Sequence, residues 1–306
     1  MSATSAETAI LLMAYGTPST ENEIESYLID IRQGRKPSVD QIEDLKRRYR
    51  AIGGHSPLLE ITKAQAFELQ HELHANGIQL PVYYGMKHWH PYISETVREI
   101  LKLNVQRVVS LVLAPHYSRL SVGGYRELLS TAFSNSNGIE LDFVESWYNN
   151  SLFQSAIAEK VIDGLKKCPG GADVTVLFTA HSLPERIIIE GDPYHAQLLE
   201  SCKAVARLTN TEKWEFAYQS AGRTPEKWLG PDILEVLENM AIGSRVLIVP
   251  IGFVADHLEI LYDIDIEAQA LARTRGVVLR RTESLNTSPK FISALADIVS
   301  NQLTLH

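Results

Sequence analysis

The sequence contains little cysteine. Only two cysteines, Cys168 and Cys202, occur among its 306 residues, and they form no C-x-x-C pair. Two thiolates are too few to hold an iron–sulfur cluster, and their spacing fits no zinc finger. We therefore expect two free thiols in a cytoplasmic protein without an iron–sulfur cluster.

A basic excess and a long apolar run are also absent. Lys and Arg number 29 against 37 Asp and Glu, which gives a formal net charge of −8. Proteins that bind nucleic acid or anionic membranes normally carry a basic surface, so neither partner is expected. The longest uncharged apolar run, 246–255, is about half the length of a membrane-spanning helix, and no signal-peptide pattern opens the chain. We expect no stable membrane insertion.

Three motifs of common enzyme classes are missing. No strand-like run is followed by G-x-G-x-x-G or by G-x-x-x-x-G-K-[ST], and G-x-S-x-G does not occur. These absences disfavour dehydrogenases, kinases and serine hydrolases.

Apolar runs alternate with segments of helical period, and 45% of the residues are hydrophobic. This alternation predicts an α/β fold with parallel sheets. The pattern runs twice, so we predict two doubly wound domains, 1–150 and 151–306, with a cleft between them. The last predicted helix, 289–303, could pack back on the first domain. The predicted strands are 9–14, 80–84, 107–114, 174–179 and 245–249, and the main predicted helices are 62–76, 93–103, 152–167, 196–208 and 232–240.

Ligands bind beyond the carboxyl ends of parallel strands, and several polar residues directly follow the predicted strands. Tyr15 follows the first run, Lys87 and His88 follow the second, and His181 follows the fourth. A histidine at a strand end can bind a metal or transfer a proton near neutral pH. A buried histidine bonded to the backbone is an equally good interpretation of His181.

A row of acidic residues follows the fifth run. Residues 255–268 contain five carboxylates and no Lys or Arg, and Glu259, Asp263 and Glu267 share one helical face. Their apolar neighbours predict partial burial, which favours binding of protons or a cation. A solvated acidic face is the alternative.

One segment has the opposite charge. Residues 30–50 carry seven basic and four acidic side chains, a local charge of +3. Several arginines would suit carboxylate or phosphate groups. Helix-surface pairing, such as Glu43 with Arg47, is the alternative.

Together these motifs resemble the ferrochelatase family, in family order along nearly the whole chain. Ile189 is a departure, since family members often carry a polar residue there. The matching segments are LLMAYGTP at 11–18, GGHSPL at 53–58, APHYS at 114–118, VLFTAHSLP at 176–184, GDPY at 191–194, QS at 219–220, WLGP at 228–231 and PIGFVADHLE at 250–259.

The resemblance implies insertion of Fe²⁺ into a porphyrin by a chelatase-type fold of two Rossmann-like halves. It implies that His181 and Glu259 are the catalytic metal ligands, with Glu259 of raised pKa accepting protons and His181 neutral. Asp263 and Glu267 would form a path for the metal or the protons. Tyr15 would face the opposite side of the ring. The implied propionate-binding residues are Arg32, Arg48, Tyr49, Ser56 and Tyr125, and Lys87 and His88 are secondary candidates.

The resemblance further suggests which porphyrin is used. The charged segment 31–50 replaces an apolar lip, and Tyr15 resembles the Gram-positive subgroup. Both indicate coproporphyrin III, a tetracarboxylate that arginines would bind well. Fe²⁺ would be a substrate, no cofactor would be permanently bound, and the product could pass to a coproheme decarboxylase.

Three alternatives stay open from the sequence. The chain could insert iron into protoporphyrin IX, insert another metal such as cobalt into a different tetrapyrrole, or bind and deliver haem without catalysis. The oligomeric state also stays open, with a monomer as one option.

Overall fold

The computed structural model describes residues 7–134, 136, 138–168, 173–222 and 224–304. Within them, eight strands form two four-stranded sheets in which all neighbouring strands are parallel. The first sheet has the order β2-β1-β3-β4, and the second has the order β6-β5-β7-β8. The strands are β1 Thr8–Ala14, β2 Val82–Met86, β3 Arg107–Val112, β4 Glu140–Val144, β5 Val174–His181, β6 Trp214–Gln219, β7 Arg245–Val249 and β8 Val278–Arg281.

Helices connect the strands. Two segments are π-helical, Arg119–Gly123 and Ile260–Ala268, and Glu21–Glu23 forms a 3₁₀ turn. The α-helices are α1 Ile24–Ile31, α2 Val39–Ala51, α3 Leu58–Ala75, α4 Ile93–Leu101, α5 Gly124–Ala132, α6 Ser151–Lys167, α7 Arg186–Ile189, α8 Tyr194–Leu208, α9 Ile233–Glu238, α10 Gln269–Arg275 and α11 Pro289–Thr304.

The predicted α/β class with two doubly wound parallel sheets is confirmed. All five predicted strands are present, although β2 lies two residues further along than expected. The prediction missed β4, β6 and β8, and all three are edge strands. An edge strand exposes part of its length, so it lacks the continuous apolar run by which interior parallel strands are identified.

One apolar core reaches both sheets. A single cluster of buried residues contains Leu12 of β1, Phe178 of β5, Phe153 of α6 and Phe291 of α11. Helix α11 packs against both α3 and α6. The last helix therefore contacts elements on both sides of residue 150, while the division into domains 1–150 and 151–306 stays a prediction.

Helix length and hydropathy bear on membrane contact. Among the residues described, no helix is both long enough and apolar enough to cross a membrane.

Candidate functional site

A cavity of about 350 Å³ opens at the carboxyl ends of strands from both sheets. Its wall includes residues that follow β1, β2, β3, β5 and β7, as expected for ligand sites in parallel sheets. Seven of the twelve predicted site residues line it: Tyr15, Tyr49, Ser56, Lys87, Tyr125, His181 and Glu259. The other five lie outside this lining: Arg32, Arg48, His88, Asp263 and Glu267.

The segment after β7 is held tightly against β5. A Cβ atom on Gly252 would lie 2.6 Å from the Cβ of Ala180, so this approach requires glycine. Further along, Asp256 accepts hydrogen bonds from Ser284 Oγ at 2.7 Å and Asn286 Nδ2 at 2.9 Å. These contacts fix the backbone that leads to Glu259.

Glu259 lies between two imidazoles. Its Oε1 is 3.4 Å from Nε2 of His181, and its Oε2 is 3.6 Å from Nε2 of His257. The other ring nitrogen of His181, Nδ1, contacts the carbonyl of Ser182, and the hydroxyl of Tyr194 donates to the His181 carbonyl at 3.0 Å. The Nε2 edge of His181 is therefore the edge that faces Glu259.

This arrangement sets the charges of the pair. Burial lowers the pKa of His181, but the Glu259 carboxylate outweighs it and raises that pKa to about 9. Burial alone would raise the pKa of Glu259, but His181 and His257 hold it well below its usual range. The expected Glu259 of raised pKa and neutral His181 are therefore wrong for the metal-free protein. The sequence shows acidic neighbours of Glu259, whereas the fold surrounds it with imidazoles.

The acidic row continues into the π-helical segment Ile260–Ala268. Asp263 is buried, and its oxygens contact Arg48 Nη1 at 3.2 Å and the Ser220 hydroxyl. Burial and the nearby Glu259 raise the pKa of Asp263 to about 6, although Ser220 and Arg48 oppose the shift. Glu267 is exposed. The row follows a π-helix, a rare geometry that often occurs at functional sites.

The acidic row contains no Lys or Arg in the sequence, but the fold brings arginines from other segments to it. Arg48 reaches Asp263 from α2, and Arg281 lies 2.7 Å from Asp265 and 3.2 Å from Asp256. Three of the five carboxylates therefore have an arginine partner from outside the row.

Aromatic and basic side chains form another part of the site. Tyr15 is 45% exposed, and its ring centroid lies 4.7 Å from that of His88, whose Nδ1 is 2.8 Å from Asp30 Oδ2. Lys87 Nζ lies 5.0 Å from the ring centroid of Tyr125. Burial lowers the pKa of both Lys87 and His88. Lys87 lies in the described lining of the cavity and adds a positive charge to that of the protonated His181.

The remaining predicted porphyrin-binding residues fall into different surroundings. The Tyr49 hydroxyl lies 2.7 Å from Thr17 Oγ1, and Ser56 is buried in the cavity wall. Arg32 Nε is buried and has no hydrogen-bond partner among the residues described. Arg48 lies over the ring of Tyr262, with its guanidinium carbon 4.9 Å from the centroid.

Several cavity residues were not predicted. His257, Tyr194, Gln65 and His116 all line the cavity. His116 is buried, its Nε2 lies 2.9 Å from Ser201 Oγ, and burial lowers its pKa to about 3. His116 and His257 both follow strand ends within matched motifs, so the strand-end rule selects their positions, but it assigns them no role. Tyr194 ends the GDPY run at 191–194, which also resembles the family signature, whereas Gln65 lies within α3, where the sequence offers no comparable signal.

His181 and Glu259, the predicted metal ligands, are two side chains of types that bind metals and lie 3.4 Å apart. Within the described ranges, no three His, Cys, Asp or Glu side chains are grouped so that they could hold a metal ion. Such an open pair suits a metal that arrives and leaves rather than a structural ion.

Known proteins are similar to this chain over nearly its whole length. The family model described as Ferrochelatase matches residues 7–303. A ferrochelatase of Herpetosiphon aurantiacus is 46% identical over 304 residues, which cover 97% of this chain and 100% of that protein. A coproporphyrin III ferrochelatase of Geobacillus thermodenitrificans is 42% identical over 302 residues, which cover 96% of this chain and 95% of that protein. The family resemblance inferred from the motifs is confirmed.

Solved structures share the two-sheet arrangement. SirB from Bacillus subtilis with Fe³⁺ matches with a TM-score of 0.58 at 13% identity, covering 96% of this chain and 95% of that chain. CbiX, described as the terminal enzyme for sirohaem biosynthesis in denitrifying bacteria, matches with a TM-score of 0.57 at 10% identity, covering 96% of this chain and 98% of that chain. At these identities the likeness shows the fold alone, and the predicted chelatase-type fold is confirmed.

We expect the stability of the metal-free protein to depend on pH through His181. Its pKa is raised from 6.5 to about 9, so the stabilisation gained from Glu259 is complete below pH 6.5 and is lost as the pH rises through about 9. Melting temperatures of the wild type and Glu259→Gln, measured with a chelator between about pH 6 and pH 10, should converge as the pH rises. Glu267→Gln is the control, and a constant difference for Glu259→Gln would contradict the raised pKa.

Proposed function

Because the chain belongs to the ferrochelatase family, we propose that it inserts Fe²⁺ into coproporphyrin III and releases two protons. The observation that carries the proposal is the His181–Glu259 pair in the wall of a cavity between the two sheets. A curated relative named coproporphyrin III ferrochelatase, 42% identical over 302 residues, supports the choice of porphyrin.

The pair is suited to receive a hydrated cation. Glu259 is ionised because its pKa is held low, so its carboxylate attracts Fe²⁺ and can replace bound water. His181 carries a proton in the metal-free protein, and its Nε2 must lose that proton before it can bind Fe²⁺. Metal capture at this site is therefore coupled to proton release.

The cavity wall also offers groups for the porphyrin carboxylates. Lys87 supplies a positive charge, and Tyr49 and Ser56 supply hydroxyl groups. Tyr15 presents an exposed phenol ring in the same wall. Coproporphyrin III has four propionates where protoporphyrin IX has two, so it gains more from such polar groups.

Further parts of the proposal concern the setting of the reaction. No cofactor is permanently bound, since Fe²⁺ is a substrate and neither Cys168 nor Cys202 is among the cavity residues. The protein acts in the cytoplasm. Its product, Fe-coproporphyrin III, retains four propionates and passes transiently to a coproheme decarboxylase.

Anaerobic metalation tests the choice of substrate. Purified protein should insert Fe²⁺ into coproporphyrin III faster than into protoporphyrin IX, because more propionates contact the polar wall. The absorbance change of the porphyrin gives both rates. A preference for protoporphyrin IX, or for Co²⁺ with another tetrapyrrole, would identify a different chelatase. Rates equal to the protein-free control, with haem bound instead, would identify a haem-binding protein.

His181→Ala is expected to reduce turnover by roughly 100-fold or more, because it removes a metal ligand that also carries a proton. Coproporphyrin III should still bind, which fluorescence titration can measure. His71→Ala, an exposed substitution in α3, is the control and should leave both quantities unchanged. Lost binding together with normal turnover of the bound fraction would contradict the assigned role.

Arg48→Ala distinguishes two roles of Arg48. If its guanidinium binds propionates, the variant should lose affinity for coproporphyrin III, and this loss should exceed the loss for a dicarboxylate porphyrin by roughly tenfold. Porphyrin Kd values measured by fluorescence quenching decide this. Equal losses for both porphyrins would count against propionate binding and leave the contact with Asp263, at 3.2 Å, as the function of Arg48.

A further inference from the structure

Two buried polar side chains near His181 have no hydrogen-bond partners. Gln219 ends β6 and Thr179 lies in β5, and both are 0% exposed. Among the groups that the structure describes, none bonds to Oε1 or Nε2 of Gln219 or to Oγ1 of Thr179. Buried polar atoms are nearly always bonded, so three unpaired atoms in one region require an explanation.

The register of β5 and β6 places these side chains together. Gln219 is the partner of His181 in the parallel pair, and Thr179 precedes His181 by two residues. Side chains alternate between the faces of a sheet, so all three leave the same face. Leu177 lies on this face and packs in one cluster with residues of the π-helical segment Ile260–Ala268. The unpaired groups therefore lie between β5, β6 and the segment that follows Glu259.

The chemistry of the unpaired atoms indicates what binds there. An amide provides both donors and an acceptor, and a hydroxyl provides one donor and acceptor positions. A buried water molecule needs about three such partners and satisfies them in return. Water is the ligand that fits this set.

The first carboxylate of the acidic row beyond Glu259, that of Asp263, already accepts a hydrogen bond at each oxygen. One oxygen of Asp263 accepts from Arg48 and the other accepts from the Ser220 hydroxyl. Ser220 follows Gln219 directly and has a φ of +59°, a left-handed conformation that non-glycine residues seldom adopt outside constrained sites. The chain is thus held in a constrained conformation at Ser220, the residue after Gln219 and the one that contacts Asp263.

We propose that Gln219 and Thr179 hold ordered water between the sheet and the π-helical segment, beside His181, and that this water carries away the protons released on metal insertion. The relay rests on the proposed function. Insertion breaks two pyrrole N–H bonds and forms bonds between Fe²⁺ and the ring nitrogens. Each proton leaves as H₃O⁺, and no electron is transferred. Gln219 and Thr179 act through the water and are positioning residues.

Two near-isosteric variants test the proposal. Gln219→Met and Thr179→Val keep much of each side chain's volume but remove its hydrogen-bonding groups. Each should lower kcat by roughly tenfold and increase the solvent deuterium isotope effect, with KM for the porphyrin unchanged. Neither should raise the melting temperature, because the bonds to water are lost.

Ser110→Ala provides a matched control. This substitution removes a buried hydroxyl that donates to the Asp142 carbonyl at 2.8 Å in the other sheet. It should lower the melting temperature and leave kcat unchanged. Unchanged kcat together with a raised melting temperature in Gln219→Met or Thr179→Val would show that no water is bound to these side chains and would overturn the proposal.

A crystal structure of the wild-type protein gives an independent test that does not require a folded variant. Electron density for water within hydrogen-bond distance of Gln219 and Thr179 is expected, and density without water would overturn the proposal. A wild type that holds this water but inserts no Fe²⁺ would overturn the relay and the proposed function, while the hydration site itself would be supported.

Discussion

The placement of the Glu259 carboxylate between two imidazoles determines the chemistry of the cavity. Glu259 reaches His181 because Gly252 allows the segment after β7 to approach β5, and because Asp256 anchors that segment. The result is a charged pair at the carboxyl ends of the second sheet, with His257 on the other side of the carboxylate. A carboxylate held in this way stays ionised and attracts a divalent cation.

Side-chain contacts connect the segment after Glu259 to helix α2, which belongs to the part of the chain that forms the first sheet. Helix α2 carries Arg47, which donates to the Tyr262 hydroxyl at 2.5 Å, and Arg48, which lies 3.2 Å from Asp263. Tyr262 and Asp263 belong to the π-helical segment that begins immediately after Glu259. The basic segment and the acidic row are thus in contact. A change in α2 would therefore affect both the proposed porphyrin side and the proposed metal side of the cleft.

Interior strands could be predicted from the sequence, because burial on both faces leaves a continuous apolar run. The residues at the strand ends could then be located as those that follow each run. The edge strands β4, β6 and β8 could not be predicted in this way. Motifs and strand ends located most of the cavity wall, but its charges depend on distant contacts. Arg48 meets Asp263 across 215 positions, and no local pattern indicates such a pair. The pKa of Glu259 was expected in the wrong direction for the same reason.

A metal that becomes part of a product requires a site that can release it. A closed set of ligands would hold the ion, whereas the ligands proposed here, His181 and Glu259, number two. The proton on His181 adds a second control, because Nε2 cannot bind a cation until that proton leaves. Asp263, whose pKa is about 6, is close enough to Glu259 to respond to its charge. Arrival of the cation at Glu259 would lower that pKa, so metal entry and proton release are coupled through the same carboxylates.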